Sequence, residues 1–374
     1  MIIKTADFKD AINAILVASG VDKSAGALEL LAQNNFLFLN VSNREYFVSA
    51  KFALDSNDAF RAVVDARLFL DLVAGITTSE FAINIVNNTV VIKAGKSTYK
   101  LPMIYENDHL ADVPSIVIKN KTVDMPISLD ILKSILNVNS KELLKVKNID
   151  VNELQRLYYI DETGCFTFTT GACLNSFTLE KPVKLLLNDR IVKLFKLFKE
   201  DVQFSLGYDT LPNGIVQTKA VFTTPSVYVG ALLTCDDILI QKIQGPCNMT
   251  KQFIAEPYDN KVVVSVNELA SAISRLTLFT KNYADKVDTL RIPVKVNFMP
   301  GELILSDKLG NTEVVTINTE SVIDSSYSMW LYLGDLKLVL DSCKNDYITI
   351  NCGNHRSVVI NRGPISNLIS EVKA

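Results

Sequence analysis

The sequence predicts an α+β fold in which a helix pair plus antiparallel sheets is repeated three times. A strand-like segment that leads through a polar residue into an amphipathic helix occurs three times. Each occurrence is followed by a hairpin pattern and preceded by another helix and a strand pair. Each repeat takes about a third of the 374 residues, too long for a solenoid, whose repeats run about 20–50 residues. We therefore place three domains at 1–122, 123–250 and 251–374.

The recurring helix begins beside a residue that can cap it. Its copies are VVDARLFLDLVAG (63–75), LLLNDRIVKLFKLF (185–198) and LYLGDLKLVLDSC (331–343). In each copy a strand-like couple ends at Asp or Asn, whose side-chain oxygen accepts from the free N–H groups of a first helical turn. The capping residues are Asp65, Asn188 and Asp335. Helical spacing is clearest in the second copy, where the apolar residues are Ile191, Leu194, Phe195 and Phe198.

The other elements of the repeat follow from local patterns. Hairpins are predicted at 81–95, with Asn87-Asn88 in the turn, at 202–222, and at 347–361, with Gly353 in the turn. Earlier helices are predicted at 7–19, 128–146 and 265–281. Strand pairs are expected at 35–54, 157–180 and 290–318, with links at 106–126 and 244–260.

Composition excludes several classes of function. The net charge of −3 gives no global indication of nucleic-acid binding. Six cysteines without a C-x-x-C pair and only two histidines indicate no metal site, and we expect no cofactor. No apolar stretch approaches the ~20 residues of a membrane helix, so we expect a cytoplasmic protein without a membrane partner. Phosphate-loop, dinucleotide, zinc-protease and serine-hydrolase motifs are missing, which argues against an enzyme.

Basic residues recur on the polar faces of the predicted helices. On charge alone, ordinary solvated helix faces explain them better than a nucleic-acid surface does, because charge patterning is a weak signal. If the helices do face DNA, the candidate contacts are Lys9, Arg67, Lys133, Lys141, Arg190, Lys193, Lys196, Arg275, Lys281 and Lys337.

Three segments, in order and across the whole chain, resemble the bacterial sliding clamp, the β subunit of DNA polymerase III. Residues 63–104 resemble that family's helix, hairpin and Ser-x-Tyr/Phe-x-Leu-Pro ending. RLYYIDETGCFTFTTGACLNSFTLE (156–180) resembles its Tyr-Tyr-Leu-x-Gly strand followed by Thr-Asp-Gly-His-Arg-Leu. Residues 262–282 resemble the opening helix of its last domain.

The resemblance implies a ring of two chains joined head to tail, with helices lining the hole and double-stranded DNA threaded through it. It also implies a DNA polymerase and a clamp loader as partners. The implied dimer contacts are Tyr99, Leu101 and Leu278, and burial inside each domain explains these three residues equally well.

The resemblance further implies a pocket for short apolar peptides of partner proteins. The implied pocket residues are Ile160, Thr169, Gly171, Ala172, Leu174, Ile243, Tyr283, Tyr332 and Ser357. Ordinary strand packing is the alternative for each of them. The family's histidine and arginine are replaced here by Ala172 and Cys173, which predicts a less polar groove. The C-terminal tail also departs, with Leu368 or Ile369 as the candidate replacement for its pocket wall.

These departures motivate the hypothesis of a divergent clamp of viral or mobile-element origin. The rival interpretation is a non-enzymatic, repeated β-rich structural or assembly protein that does not encircle DNA. It shares the triplication, and the basic helix faces weakly disfavour it.

Overall fold

A computed structural model describes residues 1–21, 26–138, 157–168, 171–233, 237–281, 292–341, 343, 345–353 and 355–373. These residues form two compact units, one of residues 1–133 and 187–235 and the other of residues 134–186 and 236–374. The helices of the described part are α1 (Thr5–Val21), α2 (Ala66–Ala74), α3 (Leu129–Asn137), α4 (Asp189–Leu194), α5 (Asp237–Ala255), α6 (Val266–Lys281) and α7 (Leu333–Asp341).

The first unit contains an eight-stranded and a four-stranded antiparallel sheet, with a two-stranded ribbon. The larger sheet runs in the order β11 (Asn120–Ile127), β16 (Val202–Thr210), β17 (Val216–Thr223), β18 (Val227–Leu232), β4 (Tyr46–Ala53), β3 (Phe36–Ser42), β2 (Ala27–Gln33) and β5 (Phe60–Asp65). The smaller sheet runs β1 (Ile2–Lys4), β6 (Glu80–Val86), β7 (Thr89–Ala94) and β8 (Ser97–Pro102), and the ribbon pairs β9 (Tyr105–Glu106) with β10 (His109–Leu110).

The second unit is built in a similar way around a nine-stranded sheet. Its order is β15 (Lys184–Asn188), β12 (Leu157–Asp161), β13 (Gly164–Phe168), β14 (Ala172–Ser176), β27 (Ile365–Ser370), β26 (Ser357–Arg362), β25 (Tyr347–Cys352), β19 (Asn260–Ser265) and β23 (Val322–Ile323). A four-stranded sheet follows the order β22 (Thr312–Thr316), β21 (Glu302–Ser306), β20 (Pro293–Met299) and β24 (Tyr327–Tyr332).

Two of the three predicted helix caps are present. The Asp65 carboxylate accepts from the Leu68 N–H at 2.7 Å, and the Asn188 side chain accepts from the Ile191 N–H at 3.0 Å. The third prediction is wrong, because β24 continues to Tyr332 and α7 begins at Leu333, which leaves Asp335 buried inside the first turn.

The predicted hairpins form with the expected turn residues. Asn87, between β6 and β7, has a φ of 52°, and Gly353, after β25, has a φ of 126°. The second predicted link is wrong, because most of residues 244–260 belongs to α5, a 19-residue helix with Pro246 inside it. The sequence did not predict this helix because a proline such as Pro246 is strongly unfavourable in a helix interior.

Strand pairing, rather than chain order, defines the two units. In the first unit β18 pairs with β4, with Val229 opposite Val48, and in the second β14 pairs with β27, with Leu174 opposite Ser366. Each pairing joins strands assigned by the sequence to different domains. The boundaries at 122 and 250 stay a prediction.

Candidate functional site

Several of the helices that carry predicted basic residues contact one another within a unit. In the first unit α1 contacts both α2 and α4, and in the second α6 contacts α7. The side chains of Lys9, Lys133 and Lys196 are exposed. Lys141 lies outside the described residues, and so does the side chain of Lys281, the last residue of α6.

The other predicted DNA contacts have carboxylate partners, which reduce the positive charge that they present. Three of the pairs join residues four apart in one helix: Arg67 with Asp71 at 3.8 Å, Lys337 with Asp341 at 3.3 Å, and Lys193 with Asp189. The remaining pairs are Arg190 with Glu45 at 3.2 Å and Arg275 with Glu313 through two bonds of 2.9 and 2.6 Å.

Acidic residues also occur among the basic residues of the first unit. A groove of about 310 Å³ between α1, β4 and the turn after α4 is lined by Lys196 and Lys199, and also by Asp7 and Asp10. Lys199 donates to Asp10 at 2.7 Å. This groove therefore has mixed charge, and the surface is less basic than the helix sequences indicate.

One face of the nine-stranded sheet carries a continuous apolar layer. Tyr159, Phe166 and Leu174 stand directly opposite one another on β12, β13 and β14. Directly paired residues point to the same face of a sheet, so these three form a row. The rings of Phe166 and Phe168 meet edge to face at 5.1 Å between centroids.

Helix α5 covers this apolar layer. Its Ile243 and Cys247 pack into the same buried cluster as the row, with exposures of 0% and 1%. Ile243, one of the predicted pocket residues, therefore lies on α5 and not on a strand. Burial raises the pKa of the Cys247 thiol to about 11 and that of Tyr159 to about 12.

Polar contacts hold the second half of α5. Lys251 donates to Asp161 at 2.6 Å and to the Thr163 hydroxyl at 2.7 Å. Burial alone would raise the pKa of Asp161, but the hydrogen bonds from Lys251 and Thr163 keep it below its usual value. Just after the helix, Glu256 pairs with His355 at 2.6 Å, and the rings of Phe253 and Tyr258 pack on the same imidazole.

The predicted pocket residues do not share one surface. Ile160 and Leu174 are both 4% exposed, but Ile160 follows Tyr159 on its strand and so points to the opposite face of the sheet. Ala172 packs against the apolar layer with Leu174. Ser357 is buried on β26, and Tyr332 ends β24 on the smaller sheet. Thr169 and Tyr283 lie outside the described residues.

Gly171 is placed where no other residue fits. A Cβ atom there would lie 2.2 Å from the Leu368 carbonyl oxygen, because the C-terminal strand β27 runs beside β14 with Leu368 opposite Ala172. The tail residues Leu368 and Ile369 therefore lie on the strand beside the predicted pocket strand, and their role as a pocket wall stays a prediction. The tight approach explains the glycine by packing alone.

The predicted dimer residues divide into exposed and buried ones. Tyr99 on β8 is 39% exposed and Leu278 on α6 is 63% exposed, whereas Leu101 is 3% exposed and belongs to the core. For Leu101 the alternative of burial within its own domain is the one observed. Among the described strands, β8 and β22 each end a four-stranded sheet. Phe279 and Val314, both exposed and apolar, lie near the second edge.

No protein-family model and no curated protein matches this chain, whereas many solved structures do. The DNA polymerase III beta subunit of Thermotoga maritima superposes with a TM-score of 0.74 at 13% identity, over 100% of this chain and 99% of that one. The DNA polymerase sliding clamp of Bacillus subtilis gives 0.74 at 15%, over 100% and 98%. The Pseudomonas aeruginosa sliding clamp bound to griselimycin gives 0.76 at 13%, over 100% and 99%.

This chain has the bacterial sliding-clamp fold. The full-length match confirms the α+β clamp fold that the sequence predicts, at identities of 13% to 15%. The sequence analysis did not predict α5, which covers the apolar layer. It also did not single out Phe279 and Val314, which are exposed near the β22 edge. The four-residue spacing of Leu239, Ile243 and Cys247 is a helical signal for α5, and Gly245-Pro246 obscured it.

Two further findings concern the described residues of this clamp fold. No group of three His, Cys, Asp or Glu side chains among them is arranged to hold a metal ion. None of the described helices has the length and apolar character needed to cross a membrane.

Proposed function

We propose that this protein is a sliding clamp: a non-enzymatic processivity factor that encircles double-stranded DNA and tethers a DNA polymerase. The likeness to solved clamps over 100% of the chain is the observation that carries the proposal. A clamp loader and a second copy of the chain are the other partners that we propose, and the cytoplasm is the compartment in which we expect them to meet.

Ring closure would use the exposed sheet edges. A strand at the edge of a sheet presents backbone N–H and C=O groups that can pair with another strand. Pairing β8 of one chain with β22 of a second copy would join different surfaces of two identical molecules, and the same contact repeated once closes a ring. Tyr99 on β8, and Leu278 and Val314 near β22, would add apolar area to each junction.

DNA would be held through its phosphates rather than through its bases. Lys9, Lys133 and Lys196 are exposed and available for such contacts. Lysine contacts to phosphate carry no sequence information, so a ring held in this way can move along the duplex. The net charge of −3 per chain means that topology, rather than affinity, must supply most of the retention.

Processivity then follows from tethering. A polymerase bound to a ring that stays on DNA rebinds its template in an intramolecular step, at an effective concentration in the millimolar range for short flexible links. The proposed clamp needs no chemistry of its own for this effect.

The test is retention on DNA of two topologies. The protein is loaded on a nicked circular plasmid, with a clamp loader if it does not load alone, and the plasmid is then linearised. We expect stable retention on the circle and rapid loss after linearisation. Equal retention on both forms would mean ordinary surface binding and would contradict the proposal. No retention even with a competent loader would favour the rival assembly protein.

A further inference from the structure

Helix α5 lies on the sheet face that carries two of the predicted pocket residues, Leu174 and Ala172. It also packs against β12 and β27, which flank that face. The face beneath it is rich in aromatic residues: Tyr159, Phe166 and Phe168. Aromatic and aliphatic surface of this kind is typical of a site that receives an apolar peptide. In this structure, a segment of the chain itself, α5, covers this apolar surface.

The first unit offers an internal comparison. There, residues 103–118 cover the equivalent apolar face, with Ala111, Val113 and Ile116 packed on Phe47 and Val63. Residues 111–118 contain no helix. A helix is therefore not required to cover such a face, and α5 is a feature of the second unit.

The intrinsic stability of α5 is low. Pro246 lacks the N–H that would bond the carbonyl of Lys242 four residues earlier, and Gly245 is the weakest helix former after proline. Helices of this length depend on packing when their intrinsic propensity is poor. Only Ile243, Cys247 and Thr250 of α5 are buried, and Ile238 and Met249 are 62% and 57% exposed.

We propose that α5 is an internal occupant of the partner-binding face, and that a short apolar segment of a replication protein binds the Phe166–Leu174 row only after α5 has left it. The inference rests on the proposed clamp function, because it assigns the surface through which the clamp holds its partners. The contacts of Lys251 with Asp161 and Thr163 fix the covered state. Loss of these contacts favours the open state.

The thiol of Cys247 reports on this opening, because it is 1% exposed while α5 is seated. The full-length protein is alkylated with iodoacetamide at pH 8, and labelling at each cysteine is followed by peptide mass spectrometry. Cys165 and Cys352 are buried in the sheet and serve as internal references for global unfolding. We expect Cys247 to be labelled well before them.

Matched variants should change the rate at which α5 leaves the sheet in predictable directions. Lys251→Ala removes the charged hydrogen bond to Asp161 and the hydrogen bond to the Thr163 hydroxyl, and should speed Cys247 labelling about tenfold. Lys242→Ala removes the same charge from an exposed position of α5 and should leave the rate unchanged. Gly245→Ala, where a Cβ meets nothing within 4 Å, should slow labelling about fivefold.

Occupancy is tested with a synthetic peptide of residues 237–255, in which serine replaces the cysteine. We expect this peptide to bind Lys251→Ala about tenfold more tightly than Lys242→Ala, because α5 of the first variant leaves the apolar sheet face more often. Labelling of Cys247 only together with Cys165 and Cys352 in every variant would overturn the proposal. Early labelling of Cys247 with equal peptide affinities for Lys251→Ala and Lys242→Ala would also overturn it. If the labelling and peptide-binding results are as expected but the protein is not retained on circular DNA, the proposed clamp function is refuted and the displacement of α5 is not.

Discussion

The closest backbone approach beside the proposed partner face gives a quantitative prediction for Gly171→Ala. The new Cβ would lie 2.2 Å from the Leu368 carbonyl oxygen and 3.3 Å from its carbon. Both obstacles are backbone atoms of β27, so the strand itself must shift, and the β14–β27 pairing weakens along its length. Overpacking of this kind costs about 1–3 kcal/mol. We expect a loss of about 2 kcal/mol in the free energy of unfolding of the second unit.

Urea denaturation followed by tryptophan fluorescence measures this loss. Trp330 is the single tryptophan and lies on β24 in the second unit, so its signal reports on that unit. With an m-value of about 2 kcal/mol per M, the midpoint should fall by about 1 M. The control is Gly245→Ala in the same unit, where the Cβ has open space and helix propensity improves by about 1 kcal/mol. An unchanged midpoint for Gly171→Ala would refute the close approach of β27 to β14.

Three further predictions concern acid, DNA and the dimer. The pKa of Asp161 is lowered in the folded protein, so its contribution to stability is present above the ordinary carboxyl pKa and is lost as pH falls through the folded value. The variant Asp161→Asn should therefore show a smaller fall in urea midpoint between pH 6 and pH 3 than the unaltered protein, and an equal fall would contradict this. Lys196→Ala should lower the slope of log K against log salt for duplex DNA by about 0.9 if the residue contacts one phosphate, whereas Lys308→Ala, on an exposed turn, should not change it. Val314→Asp should shift the protein from dimer to monomer in analytical ultracentrifugation, because it places an unpaired charge in the proposed junction; a stable dimer would exclude this edge.

The helices and hairpins were predictable because their signals are local. The side chains of Asp65 and Asn188 cap the helices that follow them, and Asn87 and Gly353 adopt the positive φ values that their turns require. Each of these depends on a few neighbouring residues. Asp335 shows the limit of local reasoning, because β24 ends at Tyr332 and α7 already begins at Leu333, two residues before Asp335.

The candidate site was only partly predictable, because the face to which a residue points depends on register. The sequence grouped Ile160 with Leu174, and the pairing of Tyr159 with Phe166 and of Phe166 with Leu174 separates them onto opposite faces. A shift of one residue reverses every side chain of a strand, and no local pattern fixes such a shift when both faces are apolar.

By itself, the sequence determined the α+β class and the start of most helices, since capping, turn chemistry and apolar periodicity act over a few residues. The three-fold repeat stays a prediction. The tertiary structure decided which distant strands pair, as β14 does with β27, and which charges on the helices are neutralised by partners such as Glu45 and Glu313. It also decided the place of α5, whose own propensity is poor. The burial of Ile243 and Cys247 against the sheet stabilises a helix that its glycine and proline disfavour.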